Sequence, residues 1–338
     1  MIDLHMHTSA SDGSDSVGEL LTNLQKASID TFAVTDHDTI DGAVEMETAL
    51  AKEASANFPV DSIAKARTAS GTVSGGTAEA RGSADAAVGR SDIRPDSGSG
   101  GAAIPQSAMN LHDIRYVKGV EFSCLTPLGK CHLLGYRYDA GDPELLAALK
   151  EGADLRRAKL EDRLVYLQKT YQVTFTEEEL AWLHSQKSPG KPHIADLLLK
   201  RGIGENRNDV IQNYIRGTKK SADRISAQTA ISGILHAGGI PVWAHPLGGE
   251  GEKLLSEAQF ESQLLYLIGC GIKGLECHYS RYNEEQVTFL RAQAQKHGLL
   301  ISGGSDYHGS RKTIALGTLN AYGAPVYEEQ LTILRQLW

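Results

Sequence analysis

Cysteine is scarce in this chain, and what there is follows no metal or redox pattern. Cys124, Cys131, Cys270 and Cys277 show no C-x-x-C spacing, so free thiols in a reducing cytoplasm are the expected state. No apolar run approaches the roughly 18 residues that a membrane helix needs. The N-terminus has neither a basic leader nor an apolar core segment, so no signal peptide is expected. Positive charge is in the minority, with a formal net charge of −8. That argues against a surface made to coat nucleic acid. It leaves room for a small anionic substrate held by metals, because local charge can oppose net charge. No internal repeat is visible. What remains is 338 residues, 41% hydrophobic and 22% charged, enough for one large domain with an insert or for two domains.

Five short clusters of His, Asp and Glu stand at the tails of apolar runs. His5 and His7 follow Met1–Leu4, and Asp36-His37-Asp38 follows Phe32–Thr35. Glu121 follows Tyr116–Val120, His245 follows Ile240–Ala244, and Asp306 with His308 follows Leu300–Ser305. A short apolar run reads as a buried strand. Ligands at the carboxyl ends of parallel strands would converge on one mouth of a barrel.

Between these runs lie helical patterns. Residues 1–50 alternate strand and helix, with Val17–Ala27 helical and Asp38-Thr39 placed to cap the next helix. Such alternation predicts parallel strands with crossover helices. Residues from about 57 to 110 differ. Gly, Ser, Ala, Thr and Asp dominate Thr68–Gly76 and Gly82–Gly101, a composition that cannot bury enough surface to offset ordering entropy. This predicts a flexible insertion. Deleting Thr68–Gly101 should therefore leave kcat nearly unchanged; a large loss in a soluble, folded deletion variant would reveal a lid. Strands resume at Tyr116–Ser123 and Cys131–Tyr136. Helical spacing then runs almost unbroken from Pro143 to Ala237, and strands return at Ile240–His245, Gly274–His278 and Leu299–Ser305. The expectation is a barrel from 1–142 plus 238–338, with a helical cap at 143–237.

The clusters carry specific chemistry. His5 and His7 share one face of a strand, because strand side chains alternate. Ser11-Asp12-Gly13 can fold Asp12 back over the same strand end. An inward Glu121 on a buried strand is costly unless paired or on a metal. His245 closes an entirely apolar strand, and Asp306-x-His308 repeats the spacing of the first pair. Gly303 and Gly304 let the backbone pack tightly there. His132 alone is a weak signal. Glu276 and His278 also share a strand face, with a structural role as good a reading as a site role.

Taken together, Asp3-Leu4-His5-Met6-His7-Thr8, Ser11-Asp12-Gly13, Thr35-Asp36-His37-Asp38, Gly119-Val120-Glu121, Ala244-His245-Pro246 and Gly304-Ser305-Asp306-Tyr307-His308 resemble the motifs of the polymerase-and-histidinol-phosphatase (PHP) family, in order along nearly the whole chain. The resemblance implies an α/β fold, a distorted seven-stranded (β/α) barrel with an inserted helical cap. It implies up to three divalent ions (Mn, Fe or Zn) and hydrolysis of phosphate esters, with a hydroxide bridging two metals as nucleophile. It further implies three ligand sets: His5, His7, Glu121 and Asp306; Glu121, His132 and His245; and Asp12, His37 and His308. Glu121 and Asp306 are catalytic candidates. The segment Lys191-Pro192-His193-Ile194-Ala195 is similar to the branch acting on nucleotides, including 3′,5′-bisphosphates and short oligonucleotides. That branch often has an arginine soon after the Ala-His-Pro motif, where Leu247-Gly248-Gly249 stand here.

For the substrate, Arg281 is a candidate phosphate fork, with a solvated surface arginine as the alternative. His193, at a helix start that favours anions, could contact phosphate or protonate the leaving oxygen; Lys191 is a further candidate. The leading expectation is a cytoplasmic phosphatase on a small nucleotide-like monoester, with no long nucleic acid and no membrane as partner. Alternatives are a phosphodiesterase on cyclic phosphates, a 5′-3′ exonuclease on short oligonucleotides, or a non-catalytic metal-stabilised scaffold. An amidohydrolase would want a lysine bridge where Glu121 stands, and a histidinol-phosphate phosphatase fits the large helical cap less well.

Overall fold

A computed structural model of the chain describes residues 1–56, 114–218, 224–249 and 254–338. The low-complexity segment at about 57–110, and with it Thr68–Gly101, lies outside the described residues.

The barrel is a ring of seven strands. β1 (Ile2–Asp3) runs parallel to β2 (Thr31–Val34), and β2 to the first part of β3 (Arg115–Thr126). A hairpin joins β3 to β4 (Gly129–Tyr136), which is antiparallel to β3 and also to β6 (Ile240–Ala244). β6, β7 (Gly274–Tyr279) and β8 (Leu300–Gly304) are parallel. A two-residue strand, β5 (Ile225–Ser226), adds to β3 outside the ring. The ring closes where β8 meets the chain after β1: Leu4 N–H donates to Gly303 O at 3.2 Å, Asp306 N–H to His5 O at 2.8 Å and His7 N–H to Tyr307 O at 2.9 Å. Close approach dictates glycine at this seam. A Cβ on Gly304 would stand 2.2 Å from the Cβ of His5 and 2.5 Å from its backbone nitrogen.

One strand departs from the parallel expectation. β4 is reversed, so the mouth is formed by the carboxyl ends of its neighbours and the amino end of β4. His132 therefore precedes the apolar residues Leu133 and Leu134 instead of following an apolar run. At the far end of the ring, strand residues such as Ile2, Tyr136 and Ile240 pack against the C-terminal Leu331, Ile333 and Leu334.

The helices follow the apolar spacing closely. α1 (Val17–Lys26) opens on a capping box of Ser16 and Glu19. α2 (Asp41–Ala56) starts later than the capping expectation. Thr39 Oγ1 accepts from Asp41 N–H, whereas the Asp38 carboxylate leaves the helix and accepts from Ser123 N–H at 3.0 Å. After β4 come α3 (Pro143–Tyr171, capped by Asp142), α4 (Glu177–Ser185), α5 (Lys191–Lys200) and α6 (Arg207–Val210), the last continuing into a π turn at Ile211–Ile215. The middle of this stretch has its own core, including Leu160, Leu164, Leu183, Ile194 and Leu198. Its two ends, Leu145–Leu149 of α3 and Ala227–Ile234 of α7 (Ala227–His236), pack instead into the barrel's outer core. α8 (Glu257–Cys270) and α9 (Glu284–Lys296) complete that layer. No helix among the described residues is long and apolar enough to cross a membrane.

Candidate metal centre

Glu121 is the hub of the mouth. It is fully buried on β3, and its two oxygens divide the surrounding imidazoles between them. Oε2 lies 3.1 Å from His5 Nε2, 3.1 Å from His7 Nε2 and 3.2 Å from His37 Nδ1. Oε1 lies 2.7 Å from His132 Nδ1 and 3.2 Å from His245 Nε2. Asp306 Oδ1 approaches His7 Nε2 at 3.3 Å, His5 Nε2 at 3.6 Å and His308 Nδ1 at 3.5 Å. Asp12 faces His308 Nε2 at 3.2 Å, with His7 and His37 each at 3.9 Å. All nine residues predicted as ligands thus meet in one mouth. Three groups bring donor atoms close enough to share an ion: His7, Asp12, His37 and His308; His5, His7, Glu121 and Asp306; and His37, Glu121 and His132. His7 and His37 each fall in two groups, a sharing that the sequence reading did not include.

The donor set fits divalent ions on the structure's own terms. His7 Nδ1 and Nε2, Asp12 Oδ1, His37 Nδ1 and His132 Nε2 are buried without an aligned hydrogen bond. Buried polar atoms left this way are costly, and a cation would satisfy several at once. Imidazole with carboxylate suits Mn, Fe and Zn. The electrostatics are consistent with this. Burial alone would raise the Glu121 carboxyl, but His37, His5 and His132 hold it well below the usual carboxylate range. Asp306 is held low against burial by Lys312 and His308.

Two of the candidate ligands sit in left-handed backbone, His245 at φ 28° and Asp306 at φ 59°. Such positions cost about 1–3 kcal/mol for a residue with a side chain, so the surroundings must hold them. Asp306 is held by its bond to His5 O, and Tyr279 O–H donates to its Oδ2 at 3.0 Å. His245 N–H donates to Glu276 Oε2 at 2.7 Å, and Glu276 Oε1 accepts from His5 Nδ1–H at 2.8 Å. Glu276 thereby fixes the tautomer of one ligand and the backbone of another, a common support for metal-bound histidine. The signal for it was the same as for Glu121, a carboxylate on a wholly buried strand. Asp36 does not orient His37; it accepts from Thr8 N–H, Thr8 Oγ1 and Ser11 Oγ and so shapes the loop that carries Asp12. Arg156, which no sequence pattern singled out, pairs with Asp38 and donates to Ser123 Oγ at 2.7 Å.

The substrate candidates are more scattered. His193 is buried at the start of α5, and its Nδ1 accepts from Gly190 N–H at 3.0 Å. The ring proton is therefore on Nε2. Burial, then the charge of Arg311, push its pKa down to about 4, so the ring is neutral near neutral pH. Lys191 is half-buried beside it. Arg281 is exposed in the turn between β7 and α9. That turn borders the mouth, since Tyr279 reaches Asp306 and the Tyr282 hydroxyl accepts from Leu247 N–H at 2.8 Å. His278 is buried with both ring nitrogens unpartnered, and burial lowers its pKa to about 4; it takes no part in the ligand groups.

Comparison with known proteins agrees with this arrangement. A family model described as PHP domain matches residues 3–64. The chain is 25% identical over 213 residues to a 3′,5′-nucleoside bisphosphate phosphatase of Chromobacterium violaceum, covering 62% of this chain and 73% of that protein. It is also 25% identical over 321 residues to the 5′-3′ exoribonuclease Rnm of Escherichia coli K12, covering 93% and 87%. In fold it resembles a Bifidobacterium adolescentis protein described as a metal-dependent phosphoesterase, with a TM-score of 0.68 at 22% identity over 99% of this chain and 94% of that one. The chain thus carries a PHP domain match at its start, and its relatives and its fold are similar to those of PHP-like metal-dependent phosphoesterases.

Proposed function

We propose that the chain hydrolyses a phosphate monoester of a small nucleotide, such as a nucleoside 3′,5′-bisphosphate or a nucleoside monophosphate, using three divalent ions. The observation that carries this reading is the division of Glu121, with one oxygen among His5, His7 and His37 and the other between His132 and His245. A carboxylate so placed suits a bridge between two cations. The remaining set, Asp12 and His308 with His37, would hold the third. Bound ions would neutralise the phosphoryl oxygens and make a water acidic enough to attack near neutral pH.

The protein's own groups do the rest. Glu121 and Asp306 would hold the ions. Glu276 keeps His5 turned with Nε2 inward. His193 offers a neutral Nε2–H, which suits holding a phosphate or leaving-group oxygen by hydrogen bond better than giving up a proton. The helices of 143–237 are the proposed substrate-side cap. The named activities of the relatives support nucleotide substrates but differ in bond type, so the exonuclease and cyclic-diester readings are the arms to test against.

A phosphate-release screen across nucleoside monophosphates, 3′,5′-bisphosphates, cyclic nucleotides, 5′-phosphorylated dinucleotides and histidinol phosphate decides the matter, run with metal analysis. Release from the nucleotide monoesters in the metal-loaded chain is expected. Turnover confined to cyclic diesters, or none with full metal loading, overturns the reading. Arg281→Ala should raise KM for a nucleotide several-fold more than for a simple aryl phosphate, which lacks the remote group; no effect on either returns Arg281 to the solvated surface.

A further inference from the structure

We propose that Cys124 and Cys131, which face each other across β3 and β4, form a redox-sensitive modification site: a peroxide joins them in a disulfide, and the closing bond draws His132 away from Glu121. Such a site is independent of which ester is cleaved and rests only on the metal centre described above.

Sheet register brings the two thiols together. Cys124 is the direct partner of Cys131 in the antiparallel pairing of β3 and β4. Both are free and buried, and both belong to the outer core with Val120, Phe122 and Leu133. The two thiols lie within hydrogen-bond reach of each other. Facing residues of an antiparallel ladder alternate between hydrogen-bonded and non-hydrogen-bonded pairs. Arg137 N–H donates to Lys118 O at 3.0 Å just beyond the last paired residues, so Lys118 with Arg137, and by alternation Cys124 with Cys131, is a hydrogen-bonded pair. The Cα atoms of such a pair stand about 5.5 Å apart, which a disulfide spans without difficulty. Its Cβ atoms also stand about 5.5 Å apart, whereas a disulfide holds them at about 3.8 Å. The bond can therefore form, but only by pulling the two side chains together. A bond under that strain is readily reduced again.

A small oxidant has a way in. Cys131 lines a cavity of about 280 Å³ together with Lys130, His132 and His245, whereas Cys124 is wholly buried. Cys131 is therefore the thiol that a peroxide meets first. Burial, then the contact with Cys131, pushes the Cys124 thiol up, so the pair reacts slowly and stays reduced unless peroxide is abundant. The Cys131 sulfur attacks one oxygen of hydrogen peroxide, the O–O bond breaks, and water leaves a sulfenic acid behind. The Cys124 sulfur then attacks the Cys131 sulfur, the S–S bond forms, and a second water leaves. The two thiols give up two electrons and two protons, and one peroxide becomes two waters. A low-molecular-weight thiol reverses the bond by exchange.

The effect reaches the ions through the sheet. Successive strand residues project to opposite faces, so the next pair, Ser123 and His132, looks into the mouth. Glu121 shares that inner face, and its Oε1 lies 2.7 Å from His132 Nδ1. Closing Cys124 on Cys131 at the outer face rolls the two strands together there and spreads their inner side chains apart. Ser123 is tied to Asp38 through its N–H and to Arg156 through its hydroxyl, so the displacement falls more on His132. The group of His37, Glu121 and His132 then loses a donor.

Zinc has no redox chemistry of its own, so the zinc-loaded full chain tests the thiols alone. It is treated with hydrogen peroxide, quenched with catalase, and divided between peptide mapping, thiol titration after denaturation, and competition with a chelator for zinc. The four titratable thiols should fall to two, and mapping should find Cys124 linked to Cys131. Zinc affinity should weaken about tenfold or more, and a thiol reductant should restore both the thiols and the affinity. Cys124→Ala and Cys131→Ala should each bind zinc as the untreated wild type does and show no reversible loss on oxidation. Zinc binding by the untreated chain tests the metal reading by itself; only the change on oxidation tests the dithiol. A link that forms without altering zinc affinity overturns the proposal. So does a wild type that keeps all its thiols, or one that oxidises them past the disulfide. An equal loss in either alanine variant also overturns it, and places the oxidation elsewhere in the chain.

Discussion

Glu121→Gln should abolish turnover while leaving the barrel folded. The loss expected is about a thousandfold or more, corresponding to about 4 kcal/mol of barrier. Glutamine keeps the size and one carbonyl oxygen but loses the charge and the second equivalent oxygen. Two sets of imidazoles would then no longer share one anionic bridge. The measurement is kcat together with metal content by mass spectrometry and the far-ultraviolet dichroism spectrum. Activity within tenfold of wild type at full metal occupancy would sink the assignment of Glu121 as a bridge, and with it the three-ion reading.

Glu276→Ala should act on the ions without touching one. Its carboxylate accepts hydrogen bonds from His5 Nδ1–H and the backbone N–H of His245, both in a buried setting. Removing it frees the His5 ring to turn and leaves a strained residue, His245, with an unsatisfied N–H. Loss of such a support commonly weakens metal binding about 10- to 100-fold. Glu276→Gln, which can still accept from His5, should fall between wild type and alanine. Competition with a chelator gives the affinity directly. Unchanged affinity in the alanine variant would make Glu276 a structural residue only, and a loss of kcat at restored occupancy would point to a direct role in chemistry.

Most of the site was legible because the strands are short, apolar and buried, so a His, Asp or Glu at their ends stands out. His5, His7, Glu121, His245 and Asp306 are of this kind. His132 was weak for a topological reason: its strand is reversed, so it leads its apolar residues instead of following them. Asp38 misled through local propensity. An acid ahead of a helix reads as a cap, but a long-range partner, the Ser123 N–H together with Arg156, outcompeted the helix end. Arg156 had no local signature at all. What places it is the face of α3 against the end of β3, which is not encoded within one sequence window. The sharing of His7 and His37 between ligand groups was invisible for the same reason, since it depends on how the strand ends converge.

The seam where β8 meets the chain after β1 has a consequence for error tolerance during folding. His5 and His7 alternate with Leu4 and Met6, and Asp306 and His308 belong to the segment that Gly304 brings within touching distance of His5. A slip of one residue would turn Leu4 and Met6 into the mouth and both imidazoles outward. The ring could still close in hydrogen-bonding terms, yet two of the three donor groups would lose imidazoles. Only the correctly registered chain presents all three donor groups, so full metal uptake would act as a check on the closure of the barrel. A population that binds its full complement of ions has, by that fact, joined its first and last strands in the right frame.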